Sequence, residues 1–411
     1  MKYKARHLEQ RVLSAAKVFK VVLILGARQV GKSTLLRHLY SSAESFLFDS
    51  ILDPYKAKHD PDLFLDLHPA PLVLDEVQFV PALLSAIKRR VDQNSKPGQY
   101  LLTGSQNLNV LKTVSETMTG RVALVHMEGM TLLERAGLGD HDSWLNRYLN
   151  LPDQFIQSRP SFIPDLPSLP EVIWRGSLPQ AFDFSKNELS SFFSSYIQTY
   201  VERDLRLVEK IEDLHRFGEF LALLSALSAH EINYTQLGRE IGVTPQTSKR
   251  WLFALGASYQ WREILPLHNN TIKRISEKRK GFLTDSGIAC HLLRIHSPED
   301  LALHPSLGAL FETWIVNHIH QLFSTCSHTP GVYHWRTHSG AEIDLILELN
   351  GTYFPIEIKC SRNLSSHDLR SFKAFREAHP NKKTGPNLII YAGEESYLLD
   401  RETMVLSWKA L

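Results

Sequence analysis

The sequence predicts a multidomain α/β protein: a parallel sheet built around a phosphate-binding loop, a winged helix-turn-helix, and a smaller C-terminal α/β domain. Three observations predict it. A glycine-rich turn, Gly26–Ser33, separates an apolar strand from a helix. Two short helices broken at Gly242 are followed by a basic β-ribbon. Near the C-terminus, Asn350-Gly351 joins two strand-like runs. At 411 residues the chain is too long for one ordinary core, so two or three domains are expected. The pattern divides into residues 1–136, an irregular linker or lid over 137–186, a helical segment with the winged helix over 187–300, and 301–411.

Bulk composition excludes several classes. Hydrophobic residues make up 43% and charged residues 22%, ordinary for globular chains. A net charge of +2 argues neither for nor against nucleic acid, and only a local cluster could. Cys290, Cys326 and Cys360 are too far apart for a disulfide framework or a cysteine zinc site, which fits a reducing compartment. No apolar run is long enough for a signal peptide or a membrane span. A cytoplasmic location without membrane contact is therefore expected.

In the first segment, Val21–Leu25, Phe46–Phe48, Leu72–Asp75, Tyr100–Thr103 and Val122–Val125 read as short strands between helices. Such apolar runs imply a parallel sheet covered on both faces. Gly26-Ala-Arg-Gln-Val-Gly31-Lys32-Ser33 fits G-x₄-G-K-[ST] between a strand and a helix, the context this motif needs. Gly26 and Gly31 turn the backbone so that N–H groups face phosphate oxygens. Lys32 supplies charge to the β- and γ-phosphates, Ser33 a hydroxyl to Mg²⁺, the following helix its positive end, and Thr34 is a further expected nucleotide-binding residue. ATP and Mg²⁺ are the implied cofactors.

Leu72–Asp75 ends in two acids. Asp75 would hold Mg²⁺, and Glu76 would polarise the attacking water, the bland alternative being a helix cap. Ser105 ends the next strand, where a polar side chain can touch the γ-phosphate or the water. Arg121 lies before the last strand. It would either reach a neighbouring subunit's γ-phosphate or cap its own helix. This order of pieces over roughly residues 15–135 resembles the AAA+ ATPases. The resemblance implies a ring, usually a hexamer, with ATP at subunit interfaces, and it makes Arg175 the one candidate for a lid arginine.

Tyr234–Val243 and Gln246–Leu255 form the helix pair, with Leu237, Ile241, Val243, Trp251 and Leu255 as shared core. Glu263–Leu267 and Thr271–Ile275 then flank a plausible hairpin turn. Between Lys249 and Lys280 stand eight basic residues against two acidic ones, a balance of +6. Lys249, Arg250, Lys273, Arg274, Lys278, Arg279 and Lys280 are the expected DNA contacts. The alternatives are a solvated face or a protein-binding winged helix.

Val332–Trp335, Glu342–Leu349, Tyr353–Ile358 and Asn387–Tyr391 are the strands of the last segment. With a two-residue loop at Asn350-Gly351, Leu349 faces Thr352 and Asp344 lies directly opposite Glu357. Two opposed carboxylates repel unless a cation separates them or one keeps its proton. Lys359 points to the same face as Glu357. Glu312, on the preceding helix, would add a third carboxylate. Such a set can hold Mg²⁺ and position a water beside a lysine for phosphodiester hydrolysis. In the same register, however, Glu342 faces Lys359 and would pair with it.

The arrangement resembles the restriction-endonuclease-like fold with its D…ExK core. More specifically, most of residues 15–375 resembles a prokaryotic family of AAA+ ATPases whose C-terminal half is a domain of unknown function. Leu101–Ser105, Tyr200–Asp204, Tyr333–Arg336, Gly340–Asp344 and Glu357–Lys359 carry that likeness. The expected function is an oligomeric ATPase acting on DNA by translocation, branch migration or junction processing. A nucleotide-dependent signalling or defence switch that docks a protein, and an ATP-controlled nuclease, are the alternatives.

Overall fold

The computed structural model of the chain describes residues 3–49, 56–105, 118–158, 160–201, 211, 213–268, 278–337 and 340–411. Its first sheet contains β1 (Val21–Leu25), β2 (Glu44–Leu47), β3 (Leu72–Asp75), β4 (Tyr100–Gly104) and β5 (Val122–His126). All pairings are parallel, in the order β2-β3-β4-β1-β5. Period-two alternation explains why β1 is apolar throughout. Val22 and Ile24 enter one core, whereas Val21, Leu23 and Leu25 enter the core on the other face. Helices α1 (Glu9–Val18), α2 (Lys32–Leu39), α3 (Pro61–Leu67) and α4 (Pro81–Gln93) pack about this sheet. The strand order sets β4 between the P-loop strand and the Asp-Glu strand, so three strand ends converge on one site.

The proline-rich stretch holds short helices, Trp144–Asn150, Pro152–Gln157 and Leu169–Arg175, as its punctuation predicts. Helix α5 (Lys186–Tyr196) opens with a capping box between Ser185 and Glu188. The helix pair follows as α6 (Tyr234–Glu240) and α7 (Pro245–Ala257), with Asn233 and Thr244 as N-caps and Pro245 in the first turn. At Gly238 a Cβ would lie 2.7 Å from the Val243 carbonyl oxygen, so only glycine allows this close a turn. Leu237, Trp251 and Leu255 are buried as expected, and Ile241 and Val243 pack partly buried beside them.

The ribbon after the pair differs from the expectation. Strand β6 (His230–Glu231) and strand β7 (Trp261–Pro266) both pair antiparallel with β8 (Lys280–Leu283). The strand expected at Thr271–Ile275 lies outside the described residues. β7 also pairs parallel with β9 (Gly331–Arg336) through Leu265↔Tyr333 and Pro266↔His334. The ribbon thereby becomes part of a ten-stranded sheet that continues through β10 (Glu342–Leu349), β11 (Thr352–Lys359), β12 (Lys383–Thr384), β13 (Asn387–Tyr391), β14 (Tyr397–Leu398) and β15 (Thr403–Ser407). The β10–β11 register is Leu349↔Thr352 through Leu345↔Ile356, as the two-residue turn requires, with Asn350 and Gly351 both at positive φ.

Helix α8 (Leu307–Leu322) covers one face of this sheet and α9 (Arg370–Ala378) the other. One apolar core runs unbroken from Val22 and Ile24 through Trp144, Phe217 and Trp251 to Leu345 and Ile390. No helix among the described residues is long and apolar enough to cross a membrane.

Candidate nucleotide site and acidic corner

The P-loop leaves β1 and enters α2. At Gly26 a Cβ would stand 2.1 Å from the Met127 carbonyl oxygen, and Gly31 adopts φ +102°, so both positions need glycine. Lys32 is buried, its ammonium donating to the carbonyls of Gly26 at 3.0 Å and Ala27 at 2.7 Å. Arg6 clamps the loop from outside the sheet, donating to Val30 O at 2.8 Å and Glu128 O at 2.9 Å while pairing with buried Glu134 at 3.0 Å.

A cavity of about 680 Å³ opens over the loop. Gln29, Gly31, Lys32, Ser33, Thr34 and Glu76 line one side, and Tyr3, Lys4, Pro179 and Phe184 the other. Arg175, the candidate lid arginine, instead holds that second wall by donating to the carbonyls of Ala181 at 3.0 Å and Phe184 at 2.8 Å.

The acids form a network. Thr103 Oγ1 donates to Asp75 and accepts from the backbone N–H of Glu76 at 3.0 Å. Ser105 Oγ donates to Glu76 Oε2 at 2.9 Å, and Gln78 Nε2 donates both to Glu76 and to Ser105 Oγ, the latter at 3.0 Å. Glu76 sits at φ +59°, a left-handed conformation costing about 1–2 kcal/mol in a non-glycine residue. The network holds it there. Gln78 was missed in the sequence, although its place two residues past Glu76 was a usable signal. Ser33 lines the cavity with Lys32, and Asp75, which Arg37 approaches at 3.7 Å, ends the adjoining strand; both offer the hard oxygens that Mg²⁺ bound with ATP takes. When bound, Mg²⁺ would spread charge over the phosphates.

Arg121 is elsewhere. Val21 N donates to Arg121 O at 3.3 Å, so this residue stands at the start of the strands, opposite the P-loop end. Its guanidinium pairs with Asp92 and donates to Thr119 O at 3.1 Å. It cannot serve its own nucleotide.

A family described as "AAA domain" matches residues 18–136. This segment is thus similar to the P-loop ATPase domains of the AAA family. Beyond the AAA domain, two families of unknown function match, DUF8612 over residues 166–299 and DUF4143 over 307–411. Two uncharacterized proteins, from Mycobacterium tuberculosis and Mycobacterium bovis, are each 28% identical over 382 residues, covering 92% of this chain and 78% of theirs. Among solved structures, the chain is similar to a Walker-type ATPase of Pyrococcus abyssi (14% identity, 71% of this chain and 98% of that one, TM-score 0.43). It is also similar to the Holliday-junction branch-migration motor RuvB of Thermotoga maritima (13% identity, 62% and 88%, TM-score 0.30). A third likeness is to a signal-transduction ATPase with a tetratricopeptide-repeat sensor from Pyrococcus horikoshii (12%, 75% and 47%, TM-score 0.24).

Away from the AAA domain, the structure brings Glu312, Asp344, Glu357 and Lys359 into one corner, but around lysines. Lys280 was expected on a DNA-binding surface. It is buried instead, its ammonium 2.6 Å from Glu312, 3.1 Å from Glu342 and 3.5 Å from Asp344. Lys359 pairs with Glu357 at 2.8 Å rather than with Glu342, and Glu357 also accepts from Ser371 Oγ at 2.5 Å. One Asp344 oxygen is used by the Ile358 N–H at 2.9 Å.

Burial first and the Asp344 charge second push both Glu312 and Glu357 up to about 8. Crowding of carboxylates about Lys280 and Lys359 favours the protonated forms of these two. Among the described residues, no group of three or more His, Cys, Asp or Glu side chains is placed to hold a metal ion. As arranged, the expected second metal site does not fit a divalent cation, because Lys280 already fills the centre.

The other expected DNA contacts divide. Lys249, Arg250 and Lys278 are exposed, Arg279 pairs with Glu263 at 3.0 Å, and Lys273 and Arg274 lie outside the described residues.

Proposed function

We propose that the chain is an oligomeric ATPase in which hydrolysis at the AAA domain moves a DNA-binding winged helix and the C-terminal sheet. One observation carries the reading. The wall of the nucleotide cavity formed by Pro179–Phe184 leads directly into α5, whose Tyr196 hydroxyl meets the P-loop carbonyl of Arg28 at 3.3 Å. A γ-phosphate that shifts the loop therefore pulls on α5, which precedes the helix pair in the chain. Support for DNA comes from Lys249 and Arg250, exposed on the second helix of the pair, and from exposed Lys278 on the ribbon. Support for a ring is the remoteness of Arg121 from its own nucleotide, which leaves a neighbour's as its target. Translocation, branch migration and junction processing all fit such a machine.

ATPase assays with duplex, single-stranded and branched DNA test this reading. Stimulation by at least one shape, falling steeply with salt, is expected. No stimulation by any shape sinks the motor. A nucleotide-controlled switch would then stand, favoured by the direct contact of the middle segment with the loop. In that reading the same movement docks a protein.

A further inference from the structure

A second cavity, of about 650 Å³, lies between the ribbon and the C-terminal sheet. Its lining includes Lys278, Arg336, His268, His334 and His379, with Glu231 as its carboxylate. The parallel join of β7 to β9 creates it: Leu267 N donates to His334 O at 2.6 Å, which brings the residues after each strand side by side.

His334 is only 3% exposed, yet its Nε2 has no partner among the described residues, and neither ring nitrogen of His379 has one. Burial, with nearby Lys280 second, pushes His334 down to about 4, so the ring is neutral; its one N–H is used on the Lys278 backbone, which leaves Nε2 as an acceptor. A buried polar atom left unpaired destabilises the fold. An apolar guest would leave these nitrogens unpaired, and a cation would be repelled by Lys278 and Arg336. The donors that face the cavity are Lys278, Arg336 and one nitrogen of His379, and the chemistry that meets them is an anion with several acceptor oxygens. Glu342, which approaches Arg336 at 3.8 Å, is already held by Lys280 at 3.1 Å.

We propose that this cleft binds a phosphodiester group of a DNA strand. Glu231 ends β6, shortly before α6 begins at Tyr234, so a strand held here continues past the helix pair. The proposal rests on the DNA reading above and adds where the backbone is gripped.

The test measures fluorescence anisotropy of a labelled duplex with the full-length protein, the double variant Lys278→Ala/Arg336→Ala, and Lys249→Ala/Arg250→Ala. Both cations of the first variant are surface-reaching, so the fold should survive, and equal melting temperatures would verify it. The expected result for Lys278→Ala/Arg336→Ala is at least tenfold weaker binding, with the salt slope reduced by about 1 for each cation removed. Undiminished binding by this variant, while Lys249→Ala/Arg250→Ala weakens it, overturns the cleft and leaves the DNA reading intact. Absence of duplex binding by the wild-type protein overturns both. In a parallel arm, inorganic phosphate is titrated against melting temperature. If it stabilises the wild type but not the double variant, and DNA binding is unchanged between them, the ligand is free phosphate and the DNA proposal fails.

Discussion

The hydroxyl of Tyr196 donates to the carbonyl oxygen of Arg28 at 3.3 Å, and the side-chain amide of Gln260 donates to that same hydroxyl at 3.2 Å. A P-loop residue is thus tied through one phenol to the segment that starts β7. Tyr196→Phe keeps the buried ring and deletes only the relay, leaving the Arg28 carbonyl short of a partner while Gln260 keeps its bond to the Ser258 carbonyl, a loss of about 1–3 kcal/mol. A lower melting temperature and an altered ATP affinity are expected, with any DNA stimulation of the ATPase reduced. Stimulation unchanged in Tyr196→Phe would show that the relay carries no signal.

The Asp75–Thr103–Glu76 network separates binding from turnover. Lys32→Ala should abolish ATP binding. Glu76→Gln should retain binding and lower turnover by about 10²–10⁴-fold. Thr103→Val should also slow turnover, since it frees both Asp75 and the strained Glu76 backbone. Nucleotide titration beside steady-state hydrolysis distinguishes the two classes.

Arg121 and Asp92 form an exposed pair at the far end of the sheet. If Arg121 completes a neighbour's site, Arg121→Ala keeps ATP binding and loses turnover, while Asp92→Ala, which releases the arginine, does not lose it. Equal and small effects from both would mark the pair as a surface contact. Sedimentation with ATP would report whether a ring forms at all.

Lys280 is the central charge of the acidic corner. Lys280→Met removes the one ammonium shared by Glu312, Glu342 and Asp344, and breaking a buried pair in this way costs about 3–5 kcal/mol. A marked drop in melting temperature is the expected outcome. Calorimetric titration with Mn²⁺ should give no heat attributable to this corner in the wild type, and Glu357→Gln should leave the titration unchanged. Saturable Mn²⁺ binding lost in Glu357→Gln would restore the metal site.

The corner also sets a pH dependence. Burial and the Asp344 charge push Glu312 and Glu357 up to about 8, above their unfolded values, so between about pH 4.5 and 8 the folded state should hold protons that the unfolded state has released. Stability therefore falls as pH rises through that window. Glu312→Gln removes one such proton, and melting curves from pH 5 to 8 should flatten relative to the wild type.

What the sequence determined by itself is whatever local rules govern. The P-loop between strand and helix, the acids ending β3, the alternation of β1 and the Leu349↔Thr352 register all follow from periodicity and turn chemistry within a few residues. What only the tertiary structure decided are relations between distant segments. Lys280 reads as one more basic residue of an exposed run, because its partners Glu312, Glu342 and Asp344 stand on other elements and only the pairing of β7 with both β8 and β9 brings them together. The same join built the histidine-lined cleft, and packing of α5 against the P-loop set Tyr196 on Arg28. A charge pattern records which side chains can carry charge. Whether that charge meets water or a buried carboxylate depends on the long-range packing that removes the solvent.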